Sequence, residues 1–259
     1  MGLGLKSFEE TFSFVKKNPK IFLLALLPAI PALPMSFMIS NLNPIWIVAN
    51  LFYLIGAIIV YLIVGFILSI VAMGAFPIVV YQSRMKKEIK LGEALKSSLK
   101  KFGKILLTLI ILAGISIAII SIPLLVFILS IFFSSTILLV LSLILLIPFV
   151  VILVFFSLRL SIAIPILILE NKSLMESIKK SWNMTKGQIW SILGGSLLLA
   201  LVVMVISLPI NFLGIVLEIL HVPYVSNITN LITSTISLAF SGPFITIVYF
   251  NIKKGSEEE

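Results

Sequence analysis

From Ile105 to Leu169 the chain carries a single charged side chain, Arg159. Two other blocks are as apolar: Ile21 to Tyr81 has no charge, and Ile189 to Phe250 has only Glu218. Each block runs a little over 60 residues, and a helix crosses the ~30 Å hydrocarbon core in about 20. Two crossings fit each block, whereas four need about 80 residues. An even number of crossings returns the chain to the side it left, so the blocks predict six transmembrane helices with both termini together. A mean hydropathy of +1.25 with 11% charged residues excludes a soluble domain and fits a polytopic helical membrane protein.

The segments that precede the blocks repeat. Ser7 to Ile21, Lys90 to Ile105 and Ser173 to Ile189 superpose with Glu10, Glu93 and Glu176 at a spacing of 83, as are Phe12, Leu95 and Ile178. One inserted residue then brings Ile21, Ile105 and Ile189 to a spacing of 84. A fixed period of this length marks repeat architecture. The chain therefore reads as one polytopic membrane domain over 1–259, with repeats at about 5–88, 89–171 and 172–254 and an acidic tail at 255–259.

Each repeated segment has an apolar stripe at helical spacing: Leu5, Phe8, Phe12 and Val15; Leu91, Leu95, Leu99 and Phe102; Leu174, Ile178 and Trp182. The opposite faces carry Lys16 and Lys17, Lys96 and Lys100, and Lys179 and Lys180. This pattern predicts three amphipathic interfacial helices with a basic face toward anionic headgroups. Ser7 with Glu10 and Ser173 with Glu176 read as capping boxes, which Lys90 denies the middle copy. Pro19, Gly103 and Gly187 stand where the three helices are expected to stop.

Charge sets the orientation. Of 19 Lys and Arg residues, all but Arg159 fall in the N-terminal segment, the connectors after the first two blocks, or Lys253 and Lys254. The opposite turns, near Asn41 to Pro44, Ser130 to Thr136 and His221 to Asn227, have none. The positive-inside rule then predicts a multi-pass cell-membrane protein with cytoplasmic basic segments and termini. A net charge of +9 reads as topology determinants and attraction to anionic lipid, on the order of 1 kcal/mol per basic residue near the surface. Nucleic acid is not the expected partner. The N-terminal apolar run lacks a small-residue cleavage site, so the first span is expected to stay in place.

Within block one, Pro28, Pro31 and Pro34 predict a kinked first span over about 21–40, and the 37 residues from Ile45 to Tyr81 are too long for one straight crossing. An interfacial piece near Trp46 and a span over about Tyr53 to Tyr81 are expected. Pro123 and Pro148 lie one in each span of block two, and each block closes with a late proline: Pro77, Pro165 and Pro243. The unit is thus short helix, span, turn, span with late proline. Because each unit crosses twice, the copies share an orientation, which predicts three parallel hairpins about an axis along the membrane normal.

Arg159 is the sharpest candidate for a contact. It lies eleven positions before Glu170, roughly 15 Å along a straight helix and so near the bilayer midplane. An unpaired cation there costs at least about 2.5 kcal/mol. Two readings stay open: pairing with carbonyls freed by kinked helices, or contact with a lipid phosphate or substrate. Glu218 and His221 lie three apart on the outer turn, which reads as interfacial polarity, with half a metal site as the alternative. There is no cysteine and no aspartate, and no HExxH, P-loop, paired intramembrane carboxylates or Asp-rich phosphotransfer box. The chain is therefore expected not to be an enzyme and to need neither cofactor nor metal.

The run Arg159-Leu-Ser-Ile-Ala-Ile-Pro165, then Glu170, the short helix with Ser181 and Trp182, and Lys186-Gly187 before an apolar helix resembles the membrane domain attached to some glycerophosphodiester phosphodiesterases. It is also similar to stand-alone six-span proteins of bacteria and archaea. The match of motif covers about 35 residues and the six-span layout extends it. The resemblance implies no phosphodiesterase activity in this chain and supplies no catalytic residues; Arg159, Glu170 and Gly187 match its pattern. The expected function is a non-enzymatic membrane component that binds or organises lipid, or supports a protein partner or a homo-oligomer. The alternative is transport of a small, anionic or lipidic substrate through a central cavity near Arg159.

Overall fold

The computed structural model describes residues 2–31, 49–222 and 224–258. Within them every regular element is helical. In chain order these are α1 (Leu3–Lys17), α2 (Ile21–Leu26) running into a 3-10 turn at Leu27–Ala29, α3 (Leu51–Arg84), α4 (Leu91–Lys100), α5 (Phe102–Phe132), α6 (Thr136–Leu160), α7 (Ala163–Leu169), α8 (Leu174–Met184), α9 (Ile189–Ile219) and α10 (Val225–Glu258). The 3-10 turn holds Pro28. Pro34, the Asn41 to Pro44 turn and the piece expected near Trp46 lie outside the described residues.

Five stretches among the described residues are long and apolar enough to cross a membrane: α3, α5, α6 with α7 as Thr136–Leu169, α9, and Val225–Gly255 of α10. The second half of block one is a single helix of 34 residues, longer at both ends than expected. Pro77, Pro123, Pro209 and Pro243 lie inside helices. A proline removes one i→i−4 hydrogen bond, and a long apolar helix with neighbours absorbs the loss. Near Pro165, by contrast, the chain breaks at Ser161 and Ile162 and restarts as α7.

Burial is concentrated at one end. In four of the five long stretches only 6–11% of the apolar window is buried, whereas in α10 it is 44%. The core is built from Ile70 to Val80 of α3, Ile162 to Ile168 around α7, and Ala239 to Ile252 of α10, which are the three late-proline stretches. Phe76, Ile166 and Phe244 belong to one cluster that also takes in Ile21 and Leu24 of α2. The halves of the long helices away from that end, such as Phe52 to Phe66 of α3 and Ile117 to Phe132 of α5, remain apolar and largely outward-facing.

The three short helices dock through small residues, and most of their bulky apolar stripe is only half-buried beside them. α1 buries Ser7 and Thr11 with Phe14 and Val15, α4 buries Ala94 and Ser98, and α8 buries Ser177 and Ser181. Leu5, Phe12 and Leu99 of the expected stripe are exposed. Small side chains let helix backbones approach: Gly4 of α1 gives its N–H to Ser191 Oγ of α9 at 2.8 Å, and Ser98 Oγ of α4 donates to the Val71 carbonyl of α3 at 2.7 Å beside Gly74.

Two local expectations are corrected. The N-cap of α1 is Gly2, so Ser7 and Glu10 form no capping box; helix formation began one turn earlier because Leu3 to Lys6 continue the helical pattern. The box at Ser173 and Glu176 is present, and Lys90 supplies no side-chain cap. Gly103 does not end α4, which stops at Lys100, and instead lies in the first turn of α5. Gly187, at φ +82°, makes the turn between α8 and α9 in the left-handed region that favours glycine.

Candidate functional site

Arg159 is in the last turn of α6, where the break at Ser161 lets α8 lie across it. Its Nη1 donates to the Trp182 carbonyl at 2.9 Å, and its guanidinium lies 5.0 Å from the Trp182 ring centre and 5.3 Å from that of Phe155. The Arg159 carbonyl accepts from Ser181 Oγ at 2.8 Å and Thr185 Oγ1 at 3.1 Å. Its buried Nε has no hydrogen-bond partner. A cation stacked on aromatic faces and bonded to a carbonyl is partly compensated without an acidic partner. Counting along a straight helix puts Arg159 near the bilayer midplane; the break at Ser161 instead brings it into direct contact with α8.

Glu170 follows α7. Lys180 Nζ lies 2.7 Å from both its carboxylate oxygens, the hydroxyl of buried Tyr249 donates to Oε1 at 2.8 Å, and Lys172 Nζ is 3.8 Å from Oε2. Burial pushes the Glu170 carboxyl up, but the hydrogen bonds from Lys180 and Tyr249 and the charges of Lys180 and Lys172 outweigh it, and the net shift is downward. Glu170 thereby ties α7, α8 and α10 together. A second knot holds α1, α3 and α10: Arg84 pairs with Glu10, donates to Asn251 Oδ1 at 3.2 Å and lies over the Phe250 ring, while Asn251 Nδ2 donates to Ser7 Oγ at 3.1 Å. Sequence reasoning missed Arg84 and Asn251, whose partners are far apart in the chain.

Beside this second knot the ends of α1 and α3 enclose a hollow of about 350 Å³ lined by Lys17, Asn18, Pro19, Lys20, Ser83, Lys86, Lys87 and Ile89. Among the described residues none of the four lysines takes part in an ion pair. Four like charges round one concavity repel one another, and an anion in it relieves that repulsion. Of the other expected interfacial residues, Lys16, Lys96, Lys100 and Lys179 are exposed and separate, Lys180 is committed to Glu170, and Trp182 covers Arg159. Lys101, by contrast, donates to the Ile168 carbonyl at 2.8 Å, and burial, then neighbouring Lys104, lowers its pKa.

A cleft of about 220 Å³ lies where the late-proline stretches meet, with Pro77, Pro165, Ser161, Gly242 and Thr246 on its walls. Arg159 is not among its lining residues.

The sequence model for the membrane domain of glycerophosphoryl diester phosphodiesterase matches residues 114–253, more than half of the chain. The chain belongs to this membrane-domain family. The match takes in α6 to α9, with Arg159, Glu170 and the short helix α8, and most of α10. Neither the search of curated proteins nor that of solved structures returned a match. Family membership and the apolar helices together make this a multi-pass integral membrane protein.

Proposed function

We propose that the protein is a non-enzymatic membrane component that binds anionic lipid at its basic end. The observation that carries this reading is the hollow between α1 and α3, where Lys17, Lys20, Lys86 and Lys87 are in no ion pair among the described residues and Asn18 and Ser83 stand beside them. The same helix α1 that brings Lys17 to the hollow also carries exposed Leu5 and Phe12, so one helix offers both headgroup charge and apolar contact, as an interfacial helix does.

The proposed frame is six spans in three parallel hairpins, with the basic end and both termini cytoplasmic. Burial supports the repeat: Thr11, Ala94 and Ser177, and again Val15, Ser98 and Ser181, lie 83 apart and are buried in each short helix. Leu24, Thr108 and Ile192, 84 apart, are buried at the start of each following apolar stretch. The apolar outer faces are open to lipid, a protein partner or another copy. Transport past Arg159 is the less supported reading, because Arg159 is occupied by Trp182 and Phe155 and stands outside the central cleft.

The test is native mass spectrometry of protein released from nanodiscs of mixed phosphatidylglycerol and phosphatidylcholine. Wild type should retain phosphatidylglycerol preferentially, and the Lys17→Gln, Lys20→Gln, Lys86→Gln, Lys87→Gln variant should lose that preference while Arg159→Ala keeps it. Equal retention by wild type and the lysine variant would falsify the reading; loss only in Arg159→Ala would move the site to Arg159.

A further inference from the structure

Thr246 lies within α10, is 1% exposed, and its Oγ1 has no hydrogen-bond partner. This departs from the habit of six other threonines within helices or at a helix end. Thr11, Thr108, Thr185, Thr229, Thr233 and Thr235 each donate to the carbonyl four residues back, the usual way for a threonine to satisfy its hydroxyl in an apolar helix. Thr246 instead lines the cleft between the late-proline stretches. Leaving a buried hydroxyl unpaired costs free energy that a bound acceptor restores.

The rest of the cleft indicates what that acceptor belongs to. Phe76, Pro77, Ile164, Pro165 and Ile245 make its walls apolar, and no lining side chain is charged. An anionic group buried there would have no counter-charge. Ser69 and Ser161 also line the walls, and their hydroxyls already donate to the Gly65 and Leu158 carbonyls, which leaves their oxygens as acceptors beside the Thr246 donor. A hydroxyl is the neutral group that both accepts from Thr246 and donates to such an oxygen.

Depth agrees. Thr246 is seven residues before Lys253, roughly 10 Å along the helix from the basic end. A charged headgroup is held at the level of the lysines, whereas a neutral lipid can carry its single hydroxyl below them. At about 220 Å³ the cleft takes the polar end and the first part of a chain, and its open side lets the remainder run into the bilayer.

We propose that this cleft binds a neutral lipid bearing one free hydroxyl, of the diacylglycerol kind, with Thr246 donating to that hydroxyl. The site and ligand differ from those of the anionic hollow, and neither reading depends on the other.

The probe is a diacylglycerol with a diazirine in one acyl chain, added to the full-length protein in nanodiscs, irradiated and mapped by peptide mass spectrometry. Labelling should fall on 69–77 of α3, 161–165 at the start of α7 and 238–246 of α10. Unlabelled diacylglycerol should compete, and triacylglycerol and phosphatidic acid of the same chains should not. Thr246→Val should weaken labelling about fivefold, the worth of one ordinary hydrogen bond, while Thr246→Ser should stay within about twofold. Competition by a long-chain primary alcohol would assign recognition to the hydroxyl alone, and its failure to the acylglycerol. The proposal is overturned if triacylglycerol competes as well as diacylglycerol, if folded Thr246→Val labels like wild type, or if the label maps to other helices.

Discussion

Lys180 Nζ stands 2.7 Å from each carboxylate oxygen of Glu170, ten residues earlier in the chain, and closes the turn between α7 and α8. Despite burial, which acts first and upward, the bonds from Lys180 and Tyr249 hold the Glu170 carboxyl below its ordinary value of 4.5. A depressed carboxyl contributes stability that is complete above the unfolded pKa and is lost as pH falls through the folded one. Wild type should therefore lose thermal stability below about pH 4.5. Glu170→Gln should be less stable by about 2 kcal/mol at pH 7 and show a shallower acid loss. Melting curves in detergent from pH 3 to 7 test this. Parallel acid losses in the two proteins would show that other carboxylates dominate.

Arg159 tests whether shape or charge matters at the α6–α8 contact. Lysine keeps the charge but cannot lay a planar fork on Trp182 and Phe155 while bonding the Trp182 carbonyl. Arg159→Lys should cost about 1–2 kcal/mol from the lost stacking and hydrogen bond, with a change in Trp182 fluorescence. Ser181→Ala should cost less, because Thr185 still donates to the Arg159 carbonyl. A lysine variant as stable as wild type would mean that a positive charge suffices.

The arrangement was legible where the signal is local. Late prolines mark the stretches that form the core, Ser173 with Glu176 forms its box, and Gly187 turns the chain. The docking face of the short helices was misleading, because hydrophobic periodicity draws attention to Leu5, Phe12 and Leu99, while the contacts run through Ser7, Ala94, Ser98 and Ser181. In a membrane, lipid is as apolar as leucine, so small residues set the approach of helices. Arg84 with Glu10 and Asn251, and Glu170 with Tyr249, bridge separations of 74 to 167 residues. No spacing rule reports pairs of that kind.

Gly4 is the most constrained glycine of these contacts. A Cβ built there would lie 1.7 Å from the Ser191 carbonyl oxygen and 2.9 Å from the Gly195 nitrogen, both backbone atoms. Gly4→Ala should force α1 off α9, weaken the bond to Ser191 Oγ and cost at least about 2 kcal/mol. Gly92→Ala, in α4 with nothing within 4 Å of its Cβ, should be neutral or stabilising by up to about 1 kcal/mol. The two melting temperatures should move in opposite directions or by clearly different amounts. A tolerated Gly4→Ala would mean that the crossing is looser than its geometry.

The absence of native cysteine makes topology directly measurable with single introduced thiols and a membrane-impermeant maleimide on intact and permeabilised cells. Lys17→Cys, Lys100→Cys and Lys179→Cys should label only after permeabilisation. Ser134→Cys, between α5 and α6, and His221→Cys, between α9 and α10, should label in intact cells. α5 alone separates Lys100 from Ser134, and its 31 residues cover about 46 Å, enough to cross. Labelling of those two positions from one side would therefore remove α5 as a span. The pair Lys17 and Lys100 asks a different question. Only α3 among the candidate spans lies between them, so a shared side requires a second crossing in block one, through the stretch that includes 32–48. Opposite sides for Lys17 and Lys100 would leave an odd number of crossings in that block and break the three-hairpin frame.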